Sequence, residues 1–202
     1  MNTLQDIPDI PITSNVLATY LPNLKAPMQK ILEMEKAGDI IRLKKGLFIK
    51  ATSHFNLHLI ANHIYGPSYV SKESAVWHYG LIPEFAYTTT SVCTNRSRVF
   101  DNKLGTFSYD YLPIEYYSLG IEIHEEDGIC YQMATPEKAL SDLIILSAGI
   151  RLRYLNESKT YVENYLRIDM DEFMKLKPER FEEYAEMGKK SQSLLNIAKL
   201  LR

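Results

Sequence analysis

The apolar pattern at the start of the chain predicts two short helices followed by a pair of strands. Val16, Leu17 and Tyr20 share one face of a helix over Thr13 to Leu21, which Thr13 or Ser14 can cap. Pro22 and Asn23 break it. A second helix runs from Pro27, a residue suited to the first helical turn, to Ala37, and Gly38 stands where a left-handed C-cap belongs. Its Met28, Ile31 and Leu32 stand at i, i+3 and i+4, while Gln29, Lys30, Glu33 and Lys36 face water or a partner. Asp39 to Leu43 and Leu47 to Lys50 then flank Lys44-Lys45-Gly46, the pattern of a β-hairpin. Helix, turn, helix and hairpin in this order read as a winged helix. Met1 to Pro11, with Pro8 and Pro11, does not read as the additional first helix of many such modules, so the module is expected to be reduced.

Beyond it, Asn56 to Tyr65 reads as an amphipathic helix ended by Gly66-Pro67. Ser68 to Val70 is a short strand, and Ser71 is placed to cap a helix from Lys72 to Tyr79. From Tyr87 to Gln132 the chain is strand-like, with runs at Tyr87–Cys93, Arg98–Phe100, Thr106–Leu112 and Ile129–Met133. Thr135-Pro136-Glu137 supplies an N-cap, a first-turn proline and an acid at the positive end of a helix reaching Ser147. After Gly149 the segments 157–166, 170–176, 178–187 and 190–201 read helical. The last carries Leu194, Leu195, Ala198 and Leu201, a stripe that needs a partner surface on this chain or another. The expected fold class is α+β: a reduced winged helix over residues 1–52, then a mixed α/β domain with a helical C-terminal part over 53–202.

Composition narrows the function classes. The 202 residues are 46% hydrophobic and 24% charged, which excludes a mainly disordered chain. The net charge of −2 excludes a wholly basic nucleic-acid coat but not a local basic patch. By segment the charge is +2 over residues 1–50, −6 over 51–150 and +2 over 151–202, so the middle is acidic between mildly basic ends. Met1 to Ile12 lacks the cationic start of a secretory leader, and no apolar run approaches a membrane span. Cys93 and Cys130 lie in apolar strand-like runs and read as buried free thiols of a cytoplasmic protein.

The chemistry most suggested by the first fifty residues is DNA binding. Lys25, Gln29 and Lys30 stand at or just before the start of the second helix, where side chains can reach base edges in a major groove. Arg42, Lys44 and Lys45 are expected at the hairpin tip, along the phosphates. The same turn also serves as a solvated end that keeps strand edges from pairing, and Glu33 and Glu35 would be repelled by a DNA backbone. An exposed positive helix and hairpin favours DNA; a hairpin packed onto residues 51–202 favours a protein-interaction module.

Enzymatic motifs do not assemble. All nine glycines are isolated, so no phosphate-binding loop is present. His54 and His58 are four apart without the acid of a zinc-protease motif, and read as surface or packing histidines. Asp169 and Glu172 read as a capping pair, and Ser71 near His78 lacks a nucleophile elbow. No catalytic residue, metal ligand or cofactor is expected. Lys138 and Glu73 either pair with other charges in solvent, the favoured reading, or face a partner.

Two motifs are more specific. Residues 69–84, YVSKESAVWHYGLIPE, and 134–143, ATPEKALSDL, flank a β-rich stretch containing Gly105-Thr-Phe-Ser-Tyr109. This order over about residues 13–147 resembles the AbiEi-type abortive-infection antitoxins, bacterial transcriptional regulators of type IV toxin–antitoxin systems. The resemblance implies binding to double-stranded promoter DNA through the winged helix. It also implies neutralisation of a separate nucleotidyltransferase-like toxin, without a stable one-to-one complex, involving the C-terminal part.

Overall fold

The computed structural model describes residues 5–21 and 24–202. Pro22 and Asn23, expected to break the first helix, lie outside the described residues, as do residues 1–4. The N-terminal part runs β1 (Ile12–Thr13), α1 (Ser14–Thr19), α2 (Pro27–Ala37), β2 (Ile40–Lys44) and β3 (Leu47–Lys50). Thr13 caps α1, its hydroxyl accepting from the Val16 backbone at 3.4 Å. Gly38 ends α2 at φ 84°, a conformation that glycine adopts without strain. The expected hairpin is present: β2 and β3 pair antiparallel around Lys45-Gly46, and β1 joins the outer side of β3, giving the order β1-β3-β2.

Strand period two gives the hairpin two faces, and each packs into a different core. Ile40 and Phe48 join Ile7, Ile12, Leu17, Leu21, Ile31 and Met34 in a small cluster under α1 and α2. Leu43, Leu47 and Ile49 point the other way, into the large core of the rest of the chain. The inner stripe of α2 differs from the predicted one. Ile31 and Met34 are buried, whereas Met28 and Leu32 remain 46% and 48% exposed. The six-residue α1 is too short to cover a wider arc of α2.

The larger part contains α3 (Leu57–Ile64), β4 (Ser68–Val70), α4 (Lys72–His78), β5 (Thr88–Cys93), β6 (Arg98–Asn102), β7 (Gly105–Tyr111), α5 (Ile114–Tyr117), β8 (Ile121–Glu126), β9 (Ile129–Ala134) and α6 (Pro136–Leu146). Its six strands form one mixed sheet in the order β6-β7-β5-β4-β9-β8. β5/β7 and β4/β9 are parallel, and the other pairs are antiparallel. β4, in the middle, is buried at all three positions, so both sheet faces are covered there. Tyr69 of β4 bonds towards α6, while Tyr109 of β7 donates to the Ala61 carbonyl of α3. The fold is thus mixed α+β.

The chain ends in α7 (Leu155–Thr160), a π-helical turn (Tyr161–Tyr165), α8 (Met170–Phe173), α9 (Pro178–Met187) and α10 (Ser191–Leu200). The apolar stripe of α10 finds its partner surface on this chain, against α9 and α7, and buries Leu194, Ile197 and Ala198.

Four sequence expectations are corrected here. Lys138 does not pair in solvent: it is wholly buried, with its ammonium 2.7 Å from Asp142 and 3.4 Å from the centre of the Tyr116 ring. Glu73, by contrast, does pair with a charge, half-buried beside Lys72 at 3.6 Å. Ser71 precedes α4 but makes no side-chain cap; its hydroxyl donates instead to Asp142 Oδ2 at 2.7 Å. Of the two free thiols, Cys93 is buried and Cys130 exposed, because Cys130 points off the solvent side of β9. Thr135 caps α6 as expected; Asp169 caps α8, but Glu172 does not return the bond, since the Asp169 N–H donates to the Leu81 carbonyl and Glu172 accepts from Lys175. Among the described residues, no helix is long and apolar enough to cross a membrane.

Candidate nucleic-acid interface

α2 lies on the outside of the N-terminal part because only its Ile31–Met34 edge has a core to enter. Its first turn presents the positive end of the helix dipole, and Pro27 removes one backbone donor that would otherwise lack a helical partner. Around that end the structure brings together Lys25, Gln29 and Lys30, all exposed. Lys30 is 3.6 Å from Glu33, a loose pair between side chains that are both about half exposed. Such a pair contributes little and leaves the ammonium free to exchange partners.

The three hairpin cations are not equivalent. Lys45 sits at the tip and is exposed. Arg42 lies further down β2, opposite Phe48, with its guanidinium 5.0 Å over that ring. Its Nε donates to Glu35 Oε1 at 2.8 Å and a second nitrogen donates to Glu35 Oε2, a fork that joins β2 to α2. Glu35 holds the guanidinium more firmly protonated, and Arg42 in turn holds the Glu35 carboxyl below the usual range. Glu35, expected to repel DNA, is thereby neutralised within the module.

Lys44 leaves the tip altogether. A bulge between Arg42 and Lys44 turns its side chain towards the second part of the chain, where the ammonium donates to the Ile64 carbonyl at the C-terminal end of α3. Burial, and secondarily Arg98, lowers its pKa. The expectation that Arg42, Lys44 and Lys45 together line the tip is therefore corrected. Among the described residues, Lys25, Lys36 and Lys45 are exposed cations of this module without an internal partner, and Lys30 is loosely held. The sequence reading missed the acceptors, Glu35 and the Ile64 carbonyl. The first has a local signal, since a carboxylate seven residues before an arginine across a helix–strand turn is a natural partner. A carbonyl twenty residues away has none.

Next to the basic edge, Leu24, Met28 and Leu32 follow one another at four-residue spacing, each between 45% and 48% exposed. Met28 and Leu32 thus share an outward apolar strip on α2, and Leu24 lies in the segment before the helix. The hairpin, by contrast, is anchored: the Asn102 amide donates to the Leu43 carbonyl at 3.1 Å, and Leu43, Leu47 and Ile49 are buried in the large core. Among the described residues, no group of three His, Cys, Asp or Glu side chains is arranged to hold a metal ion.

No protein-family model matches the chain, and no curated protein matches it. Among solved structures it is similar to the crystal structure of the RV2827C protein from Mycobacterium tuberculosis. The TM-score is 0.64 at 14% identity, over 96% of this chain and 74% of that one. At that identity the likeness concerns the fold alone.

Proposed function

We propose that the N-terminal module is a reduced winged helix that binds double-stranded promoter DNA, and that the protein is an antitoxin-like transcriptional regulator counteracting a nucleotidyltransferase-like toxin in the cytoplasm. The observation that carries the DNA reading is the order β1-α1-α2-β2-β3 with sheet order β1-β3-β2, which leaves α2 outermost with Lys25, Gln29 and Lys30 at its positive end. That arrangement suits insertion of the helix N-terminus into a major groove. Phosphate contact falls to Lys25, Lys30 and Lys45; Arg42 and Lys44 support the module from within. The toxin and promoter parts of the proposal rest on the resemblance of residues 69–84 and 134–143 to the antitoxin family. No catalytic step or cofactor is assigned to this chain.

A second reading is favoured by two observations: the hairpin packed into the large core, and the exposed Met28 and Leu32 on α2 with Leu24 before it. In that reading α2 docks on a protein partner. A salt titration on the DNA upstream of the gene separates the two. Binding by the wild type is expected to weaken steeply with salt. The triple change Lys25→Ala, Lys30→Ala, Lys45→Ala should make the log–log slope shallower by about 0.9 for each phosphate no longer neutralised. Absence of salt-dependent binding at low ionic strength favours the protein-docking reading.

A further inference from the structure

In the larger part of the chain, α3, α4 and the β8–β9 turn close around a cavity of about 260 Å³. α4 contributes Trp77, the loop after it contributes Phe85, the start of α3 contributes Asn56 and His58, and the turn contributes Glu126 and Asp127. Trp77 and Phe85 meet edge to face with centroids 4.8 Å apart, and Tyr87 extends the aromatic line at 5.9 Å from Phe85. These rings are 38%, 54% and 93% exposed, a concentration of uncovered aromatic surface that the packing of this chain does not use.

The polar side of the cavity is acidic. Among the described residues no lysine or arginine lines it, and neither Glu126 nor Asp127 takes part in a salt bridge. The Asn56 amide and the Tyr131 hydroxyl both donate to Glu126 Oε2, at 3.1 and 3.3 Å, which orients the carboxylate and leaves Oε1 without a protein donor among the described residues. Asp127 is held in the turn at φ 52°. His58 does not offset this charge at neutral pH, because burial lowers its pKa to about 4.

We propose that this cavity binds an arginine side chain presented by a protein partner. An aromatic face attracts a cation through its quadrupole, and a planar guanidinium can lie on a ring while forking to a carboxylate, which an ammonium cannot do. The occupant is a polypeptide rather than a nucleic acid, because Glu126 and Asp127 repel phosphates. This site is independent of the DNA-binding reading of α2.

Trp77 is the only tryptophan of the chain, so its emission reports on this cavity alone. The probe is an arginine tripeptide blocked at both ends, titrated into the full-length protein at pH 7. The expected result is a saturable change in emission, absent with the isosteric but uncharged citrulline tripeptide and weaker with a lysine tripeptide. The double change Glu126→Gln, Asp127→Asn should raise the dissociation constant at least about tenfold. Phe85→Ala should raise it about fivefold. Both sites are exposed, and an unchanged urea midpoint checks that the variants fold. A flat titration, an equal response to citrulline or lysine peptides, or binding undiminished in the double variant overturns the proposal.

Discussion

Lys138 and Asp142 stand one turn apart on α6, both with no exposed side-chain surface. Tyr69 and Ser71 donate to the other Asp142 oxygen at 2.9 and 2.7 Å, so the carboxylate is fully served. Burial lowers the Lys138 pKa, and Asp142 opposes that. Replacing one member of such a pair leaves an uncompensated charge in the core, so Lys138→Met should cost about 3–5 kcal/mol of stability. Adding Asp142→Leu should recover part of the loss; urea unfolding of the two variants checks both values. His58 gives a second prediction at this scale. Its ring lies among His78, His124 and Tyr131, with Glu126 nearby. Its folded pKa of about 4 stands below the ordinary 6.5, so between those values the unfolded chain binds the extra proton. The neutral ring contributes stability that is complete above pH 6.5 and is lost as the pH falls towards 4, by about 3 kcal/mol. Urea midpoints between pH 7 and pH 4 should fall less for His58→Phe than for the wild type.

Elements of this fold are tied at their C-terminal ends by lysines from elsewhere in the chain. Lys44 donates to the last carbonyl of α3, and Lys190 donates to the Ile144 and Ser147 carbonyls at the end of α6, at 2.7 and 2.6 Å. Each ammonium satisfies orphan carbonyls at the negative end of a helix dipole. Lys44→Ala should therefore lower stability by about 1–2 kcal/mol while leaving the salt dependence of DNA binding unchanged. A shallower slope in that variant would mean that Lys44 meets phosphate after all. Caps and turns of this chain are legible in the sequence where one local residue decides them, as with Gly38 after α2 or Thr135-Pro136 before α6. β8 is not, since Ile121–Glu126 is an edge strand whose charges mask its alternation. Nor is the burial of Lys138, because a lysine beside an acid reads as solvent-exposed until the tyrosines around it are placed by the sheet.

At the scale of the whole molecule, one hairpin serves two cores, and that decides how the N-terminal module can work. Phe48 holds α1 and α2, while Leu47 and Ile49 on the same strand hold the module to the mixed sheet. α2 is therefore presented on a rigid base, and the hairpin is support rather than a free arm. Lys25, Gln29 and Lys30 are legible as an exposed set because a helix start is local information. The diversion of Arg42 and Lys44 is not, since their acceptors lie across a helix–strand turn and on another element. The central claim is that α2 reads DNA, and Gln29 tests it most directly. Binding of the wild type and of Gln29→Ala should be compared on the upstream promoter fragment and on a scrambled fragment of equal length, at one salt concentration. The wild type is predicted to prefer the promoter, and Gln29→Ala to narrow that preference by about 1–3 kcal/mol with its affinity for the scrambled fragment kept. Equal wild-type affinity for both fragments, or a preference that survives Gln29→Ala unchanged, would contradict the account.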